Sequence, residues 1–388
     1  MEAHDLVTIA AQAPDSAFVI HRQSLIANAS LIHKVAEASG SSILLGLKGF
    51  ACHAAFPLLK PYVGGVSASS PHEARLAREE MGGEVHVYSP AYSDSDIRTL
   101  LPLVDHIVFN SVSQKLRFTP DVKACGKPIS IGVRINPEHS EAHTPLYDPC
   151  SPRSRLGIRR KDWDEQALSD VEGLHFHSLC ASTSHALERT LDAVSNRFGS
   201  ILDRMRWFNF GGGHAITRPD YDRDHLVSIL RKWQDRFPNT RIYLEPSEAF
   251  GVHTGVLKAK VLDILPAPEN GHPIAMLNVS ATAHMPDTLE MPYRPDVHGA
   301  DHPGLLPFTY TLGGQTCLAG DVIGDYSFEK PLQIGDPVLL MDMTHYTMVK
   351  TTFFNGVQMP AIALYDSDTL SIDVVRIFGY EDYRDKLS

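Results

Sequence analysis

The 388-residue chain reads as an α/β protein, a (β/α)8 TIM barrel followed by a β-rich domain of barrel or sandwich type. Three observations carry that expectation. From about residue 40, short apolar runs recur, each followed by a polar break and an amphipathic stretch. Eight such runs fit between Ile43 and Leu244, the number that closes a barrel. After about residue 252 the helical patterns stop, and strand-like runs broken by proline and glycine take over.

In chain order, AFVIHR (Ala17–Arg22) reads as a strand and NASLIHKVAEAS (Asn28–Ser39) as the first helix. The barrel runs are Ile43–Leu47, Tyr62–Val66, Val85–Tyr88, His106–Phe109, Ile129–Ile135, Leu174–His177, Trp207–Phe210 and Ile242–Leu244. Two intervening helices are marked clearly, PHEARLAREEM after Ser70 and TSHALERTLDAVSNRFGSILDRM after Ser182. In both a serine is placed to cap the first turn. A doubly wound open sheet has the same periodicity and stays open as an alternative. Later strands are expected in VLKAKVLDIL, IAMLNVSATA, PVLLMDM, PAIALYDSD and SIDVVRIF. The expected organisation is a barrel over residues 25–252 and a β-rich domain built from residues 1–24 and 253–388.

Composition narrows the function. A net charge of -11 disfavours a nucleic-acid partner, whose phosphates need a basic surface, and is compatible with a cationic substrate. Five widely spaced cysteines without a C-x-x-C pair point to reduced thiols and a cytoplasmic setting. The first residues lack a signal-peptide pattern, and no apolar run approaches the ~20 residues of a membrane span.

The unusual residues fall at the C-terminal ends of the predicted barrel strands, where barrel enzymes keep their chemistry. Lys48 ends the first run (ILLGLKGF), His177 the sixth (GLHFHS) and Glu245 the eighth (RIYLEP), while Gly211, Gly212 and Gly213 follow the seventh (WFNFGGG). A lysine after an apolar strand can serve as an amine nucleophile. A glycine run lets backbone amides approach an anion, and a carboxylate at the rim can hold a protonated ring nitrogen. Each residue alone also has a bland reading: a solvated lysine, a tight turn, a solvated acid. His175 and His177 share a strand face, and an H-x-H pair would equally fit a metal-dependent barrel hydrolase. Cys317 stands in a polar, glycine-rich segment (GGQTCLAGD), an unusual setting for a thiol that merely packs.

In this order, over nearly the whole chain, these motifs resemble the fold III decarboxylases that use pyridoxal 5′-phosphate (PLP), a family including ornithine and diaminopimelate decarboxylases. The resemblance implies that Lys48 carries the cofactor as a Schiff base and that His177 stacks on its ring. It further implies that Gly211–Gly213, Cys180 (where the family has serine) and Tyr346 hold the phosphate, with Glu245 on the pyridine nitrogen. Cys317 would be contributed across a homodimer interface as proton donor. The family's E-P-G-R becomes Glu245-Pro246-Ser247-Glu248, with an acid in place of arginine. With HMPDTLEMPYRP, GGQTCLAGDVIGDY and HYTMVKTTFFNG, this resembles the carboxynorspermidine/carboxyspermidine decarboxylase branch. A cationic carboxylated polyamine is then the implied substrate, met by Glu248, Asp321, Asp325 and Glu290. Arg155 in SRLGIRR resembles a family arginine near the cofactor, and no metal is expected. Decarboxylation of ornithine, diaminopimelate or arginine, a racemase on the same fold, and a non-catalytic PLP-binding homologue are the other readings.

Overall fold

The computed structural model describes residues 1–142 and 144–388. The chain divides into two compact units, one of Met1–Ala27 with Gly251–Ser388 and one of Asn28–Phe250. The first strand, β1 (Ala17–His21), lies in the former. The latter contains β2 (Ser42–Gly46), β3 (Gly65–Ala68), β4 (Glu84–Tyr88), β5 (His106–Phe109), β6 (Ser130–Arg134), β7 (Gly173–His175), β8 (Trp207–Asn209) and β9 (Arg241–Leu244). These eight strands pair in sequence order into a closed barrel, sealed by parallel pairing of Ser42 with Tyr243 and Ile43 with Leu244. The open doubly wound sheet is thereby excluded.

The barrel interior is packed rather than hollow. Trp207 is buried with Leu44, Val108 and Tyr243, and its indole N–H donates to the Ser130 hydroxyl at 2.8 Å. A Cβ on Gly173 would fall 1.9 Å from that indole ring, so the facing strand leaves the space a side chain would occupy.

Three local expectations need correction. Tyr62 belongs to a 3-10 turn (Lys60–Tyr62) rather than to the second barrel strand, and its ring packs edge-on against His33 at 5.9 Å. Apolar content placed that strand too early, and it begins at Gly65. The first helix runs over Arg22–Ser39, so Asn28 lies inside it, and its side-chain amide donates to the Phe250 carbonyl at 3.0 Å. The helix Ser184–Leu202 is capped by Thr183, not Ser182. Ser182 instead bridges the glycine loop, its N–H donating to the Gly213 carbonyl at 2.8 Å and its hydroxyl to the Cys180 carbonyl at 3.0 Å. Ser70 does cap its helix, accepting from the Glu73 amide at 3.2 Å.

The other unit is a nine-stranded mixed sheet. It adds β10 (Gly255–Leu265), β11 (Ile274–Leu277), β12 (Ala300–Asp301), β13 (Phe308–Gly313), β14 (Val322–Phe328), β15 (Pro337–Met341), β16 (Ala361–Asp366) and β17 (Ser371–Arg376). β1 sits centrally, antiparallel to β10 and parallel to β16. The long β10 pairs with β15 through its first half and with β11 through its second, with an irregularity between Val261 and Asp263. A helix at Ala3–Gln12, not foreseen from sequence, buries Leu6 and Ile9 against Ala17, Val19 and Tyr365.

Candidate active site

Glu245 directly follows β9 and points into the barrel unit with its side chain 10% exposed. Asn209, the last residue of β8, donates from Nδ2 to Glu245 Oε1 at 2.6 Å. His175, the last residue of β7, places Nε2 3.4 Å from Oε2. Burial alone would raise this carboxyl. The contacts with His175, then His177, and the Ser67 hydroxyl outweigh it and hold the group at about 2. Desolvation in turn depresses His175, so a wholly buried, neutral ring faces a carboxylate. Three strand ends thus converge on one acid that stays ionised.

His177 lies two residues beyond β7. Its Nδ1 accepts from the Gly212 N–H at 2.9 Å, so the ring's own proton sits on Nε2. Burial, then the charges of Lys48 and Arg134, push His177 well below the ordinary imidazole range. Arg134, at the end of β6, donates to the His177 carbonyl at 2.8 Å and lies 4.7 Å over the Tyr88 ring. The imidazole is therefore neutral, oriented at both backbone and ring.

The glycine loop lies close against this segment. Gly211 and Gly213 have φ of +69° and +83°. The Gly211 N–H donates to Asn209 Oδ1 at 2.9 Å, which ties the loop to the residue holding Glu245. A Cβ on Gly213 would meet the Leu179 carbonyl at 2.2 Å. Gly213→Ala should therefore cost at least about 2 kcal/mol through strain and overlap and should weaken anion binding at the loop. Urea unfolding of the cofactor-loaded protein and a PLP titration read the two effects separately.

Lys48 stands two residues past β2 with its side chain exposed. Its charge acts on His177 and Cys180, which both follow β7, and on Glu73 in the helix after β3. Burial raises Glu73, while the Ser69 N–H at 2.6 Å and Lys48 oppose that rise. Burial and then the Glu248 carboxylate push the Cys180 thiol up, against Lys48, so Cys180 is a neutral thiol with Glu248 beside it. Arg155 is exposed, its carbonyl held by Asn110 Nδ2 at 2.8 Å; Asn110 Oδ1 accepts from Tyr88 OH at 2.8 Å and from the Gly157 N–H at 2.7 Å.

In the sheet unit, Cys317 is an exposed free thiol. Its backbone N–H donates at 2.8 Å to Oδ1 of Asn355, which adopts φ +56°. Asp321 is buried and accepts from the Ser280 hydroxyl, the Thr282 and Thr316 amides and the Thr316 hydroxyl, at 2.6 to 3.1 Å. Asp325 accepts from the Thr311 hydroxyl at 2.6 Å, Glu290 pairs with Lys350, and Tyr346 opens the short helix Tyr346–Val349.

Asn209, Arg134, Tyr88, Ser67 and Glu73 were not singled out in the sequence. The signal available was position: Asn209 and Arg134 each end a barrel strand. Among the described residues, neither of the two His/Glu groups whose ligand atoms converge includes His175 or His177. The metal-hydrolase reading loses its site there.

These residues fit PLP. A largely enclosed carboxylate, a flat neutral imidazole, an exposed lysine and a glycine loop too close to the backbone to carry side chains match its ring nitrogen, ring face, aldehyde and phosphate. Comparison with known proteins agrees. The family model "Pyridoxal-dependent decarboxylase, C-terminal sheet domain" matches residues 18–344. The carboxyaminopropylagmatine decarboxylase of Synechocystis sp. is 44% identical, covering 96% of this chain and 95% of its own. The carboxynorspermidine/carboxyspermidine decarboxylase of Campylobacter jejuni is 41% identical, covering 95% and 97%. A crystal structure of carboxynorspermidine decarboxylase from Campylobacter jejuni, complexed with norspermidine, superposes with a TM-score of 0.87 at 40% identity, over 96% of this chain and 99% of that one. With the model spanning most of the chain and relatives of this identity along its whole length, the protein belongs to the pyridoxal-dependent decarboxylases of the ornithine, diaminopimelate and arginine decarboxylase family.

Proposed function

We propose that the chain decarboxylates a carboxylated polyamine, carboxynorspermidine or carboxyspermidine, releasing norspermidine or spermidine. The observation that carries this reading is Glu248, an acid beside Cys180 where the ornithine and diaminopimelate enzymes have arginine. A substrate carrying extra ammonium groups favours that reversal of charge.

When bound, PLP supplies an aldehyde for the substrate α-amine and an electron sink for the pair left as CO2 departs. The chain's own residues do the rest. Lys48 offers the amine, and His177, neutral and fixed by Gly212, offers a flat face to the ring. Glu245, kept ionised, holds a proton on the ring nitrogen. Gly211–Gly213 and Cys180 receive the phosphate. Cys317 from the second subunit of a homodimer gives the proton to Cα, on a loop held by Asn355. Glu248 is the acid we assign to the ammonium groups; Glu290 is already paired with Lys350, and Asp325 accepts from the Thr311 hydroxyl. Asp321 we assign to its own loop, because its oxygens already take those four donors. Arg155 we place at the rim, positioned by Asn110. Five free cysteines favour a cytoplasmic setting, and among the described residues no helix is long and apolar enough to cross a membrane.

A second substrate follows from the 44% identity to the Synechocystis enzyme, whose name denotes an agmatine-derived substrate ending in a guanidine. Assaying CO2 release from carboxynorspermidine, carboxyspermidine, carboxyaminopropylagmatine, ornithine and meso-diaminopimelate separates these readings. Turnover of either carboxylated triamine is the expected result, and turnover of ornithine or diaminopimelate alone overturns the proposal. Glu248→Arg should lower kcat/KM for the polyamine about 10²-fold while PLP binding persists, since like charges at a recognition site cost several kcal/mol. Loss of cofactor without loss of preference would count against Glu248 as a substrate contact.

A further inference from the structure

Outside the candidate active site, the first turns of two neighbouring helices bring three ligand-type side chains together. His185 and Glu188 are three residues apart on the helix Ser184–Leu202, and so share a face. His225 is the third residue of the helix Arg223–Arg236. One ligand atom from each lies within 4.8 Å of the other two.

We propose that His185, Glu188 and His225 form a binding site for a zinc-class divalent cation, bridging the helices that follow β7 and β8. The His225 Nε2 to Glu188 Oε2 distance is 3.2 Å. That is close to the edge of a tetrahedron with zinc-ligand bonds of roughly 2.0–2.1 Å, about 3.3 Å. The other nitrogen of His225, Nδ1, lies 3.0 Å from the Ser184 hydroxyl, and Ser184 is fully buried. With Nδ1–H donating to that hydroxyl, it is the kind of outer hydrogen bond that orients a metal-bound imidazole, with Nε2 facing the cation. The His185 ring lies 4.0 Å from that of His225, and as an exposed side chain it can rotate to close the remaining gap. Two imidazoles and a carboxylate leave a fourth position for water, a donor set suited to zinc.

The site is distinct in chemistry from the second convergent group, Glu84, His86 and His106. There Glu84 is engaged by the Arg241 guanidinium at 2.5 Å and the Tyr243 hydroxyl at 3.0 Å, so a cation already occupies the carboxylate. Among the described residues, the ion pair formed by Glu188 is the one with His225. Helix N-termini disfavour a positive charge, and the Glu188 carboxylate offsets that effect on a bound dication.

The test uses the full chain with its cofactor, dialysed against a chelator and titrated with zinc chloride by calorimetry and with cobalt(II) chloride by visible absorption. One equivalent per chain is expected, with a tetrahedral cobalt spectrum and a zinc-dependent rise in Tm. Binding should vanish in the His185→Ala/His225→Ala double variant and weaken about tenfold in Ser184→Ala. No binding by the unaltered chain, or binding unchanged in the double variant, overturns the proposal.

Discussion

Lys48→Ala protein is expected to lose the visible Schiff-base absorbance of added PLP, and its decarboxylase rate is expected to fall by on the order of 10³-fold or more. A tethered amine reacts at an effective concentration that no free amine in solution approaches, and this advantage is what the substitution removes. The fold should survive. The Lys48 side chain is exposed, and exposed substitutions away from caps and special backbone usually change stability by only about 0.5 kcal/mol. The electrostatic consequence can be read independently of activity. Lys48 lowers the protonation of His177, so its removal should raise the His177 pKa, a shift visible by NMR of the imidazole protons. Retained absorbance and turnover in this variant would remove Lys48 from the chemistry, whereas loss of both without a His177 shift would place its amine elsewhere than beside that ring.

Much of this site was legible because barrel strands are short, apolar and evenly spaced, and the residue after each one stands out. Lys48, His177, the glycine run and Glu245 all follow such runs. The missed residues share a different trait. Asn209 and Arg134 lie within runs, where a polar residue reads as an interruption rather than as a donor aimed at Glu245 or at the His177 carbonyl. Glu73 sits in the first turn of a capped helix, where an acid already has an ordinary explanation. Asp321 shows the converse ambiguity: an acid in a glycine-rich loop resembles a substrate contact, and the hydroxyls and amides around it, invisible in sequence, favour its assignment to its own loop. In the sheet unit, β13 and β14 were passed over because FTYTLG and VIGDYSF alternate weakly and carry glycines. They pair with each other across residues 314–321, while the other partner of β13 is the non-adjacent β11, a tertiary contact. Ser182 was read as a cap for the same reason: the competing bridge to Gly213 is a tertiary contact.

Glu245→Gln separates the electronic role of the acid from its place in the packing. The amide has nearly the same shape and can still meet Asn209 after a flip, so PLP should still bind to Lys48. It carries no charge to stabilise a proton on the ring nitrogen, and kcat should fall by about 10²-fold or more, the scale seen when one preorganised charge-stabilising contact is lost. The pH dependence of stability supplies the control. Glu245 is held at about 2 in the folded chain against 4.5 for an ordinary glutamate. A carboxyl lowered on folding stabilises the protein fully above its unfolded value, and that contribution disappears as pH falls from about 4.5 toward 2. The unaltered protein should therefore lose stability steeply over that window, and Glu245→Gln should show a shallower loss, measured as urea midpoints from pH 7 downward. A variant with unchanged kcat and an unchanged acid limb would show that Glu245 is neither the ring's counter-charge nor ionised in the fold.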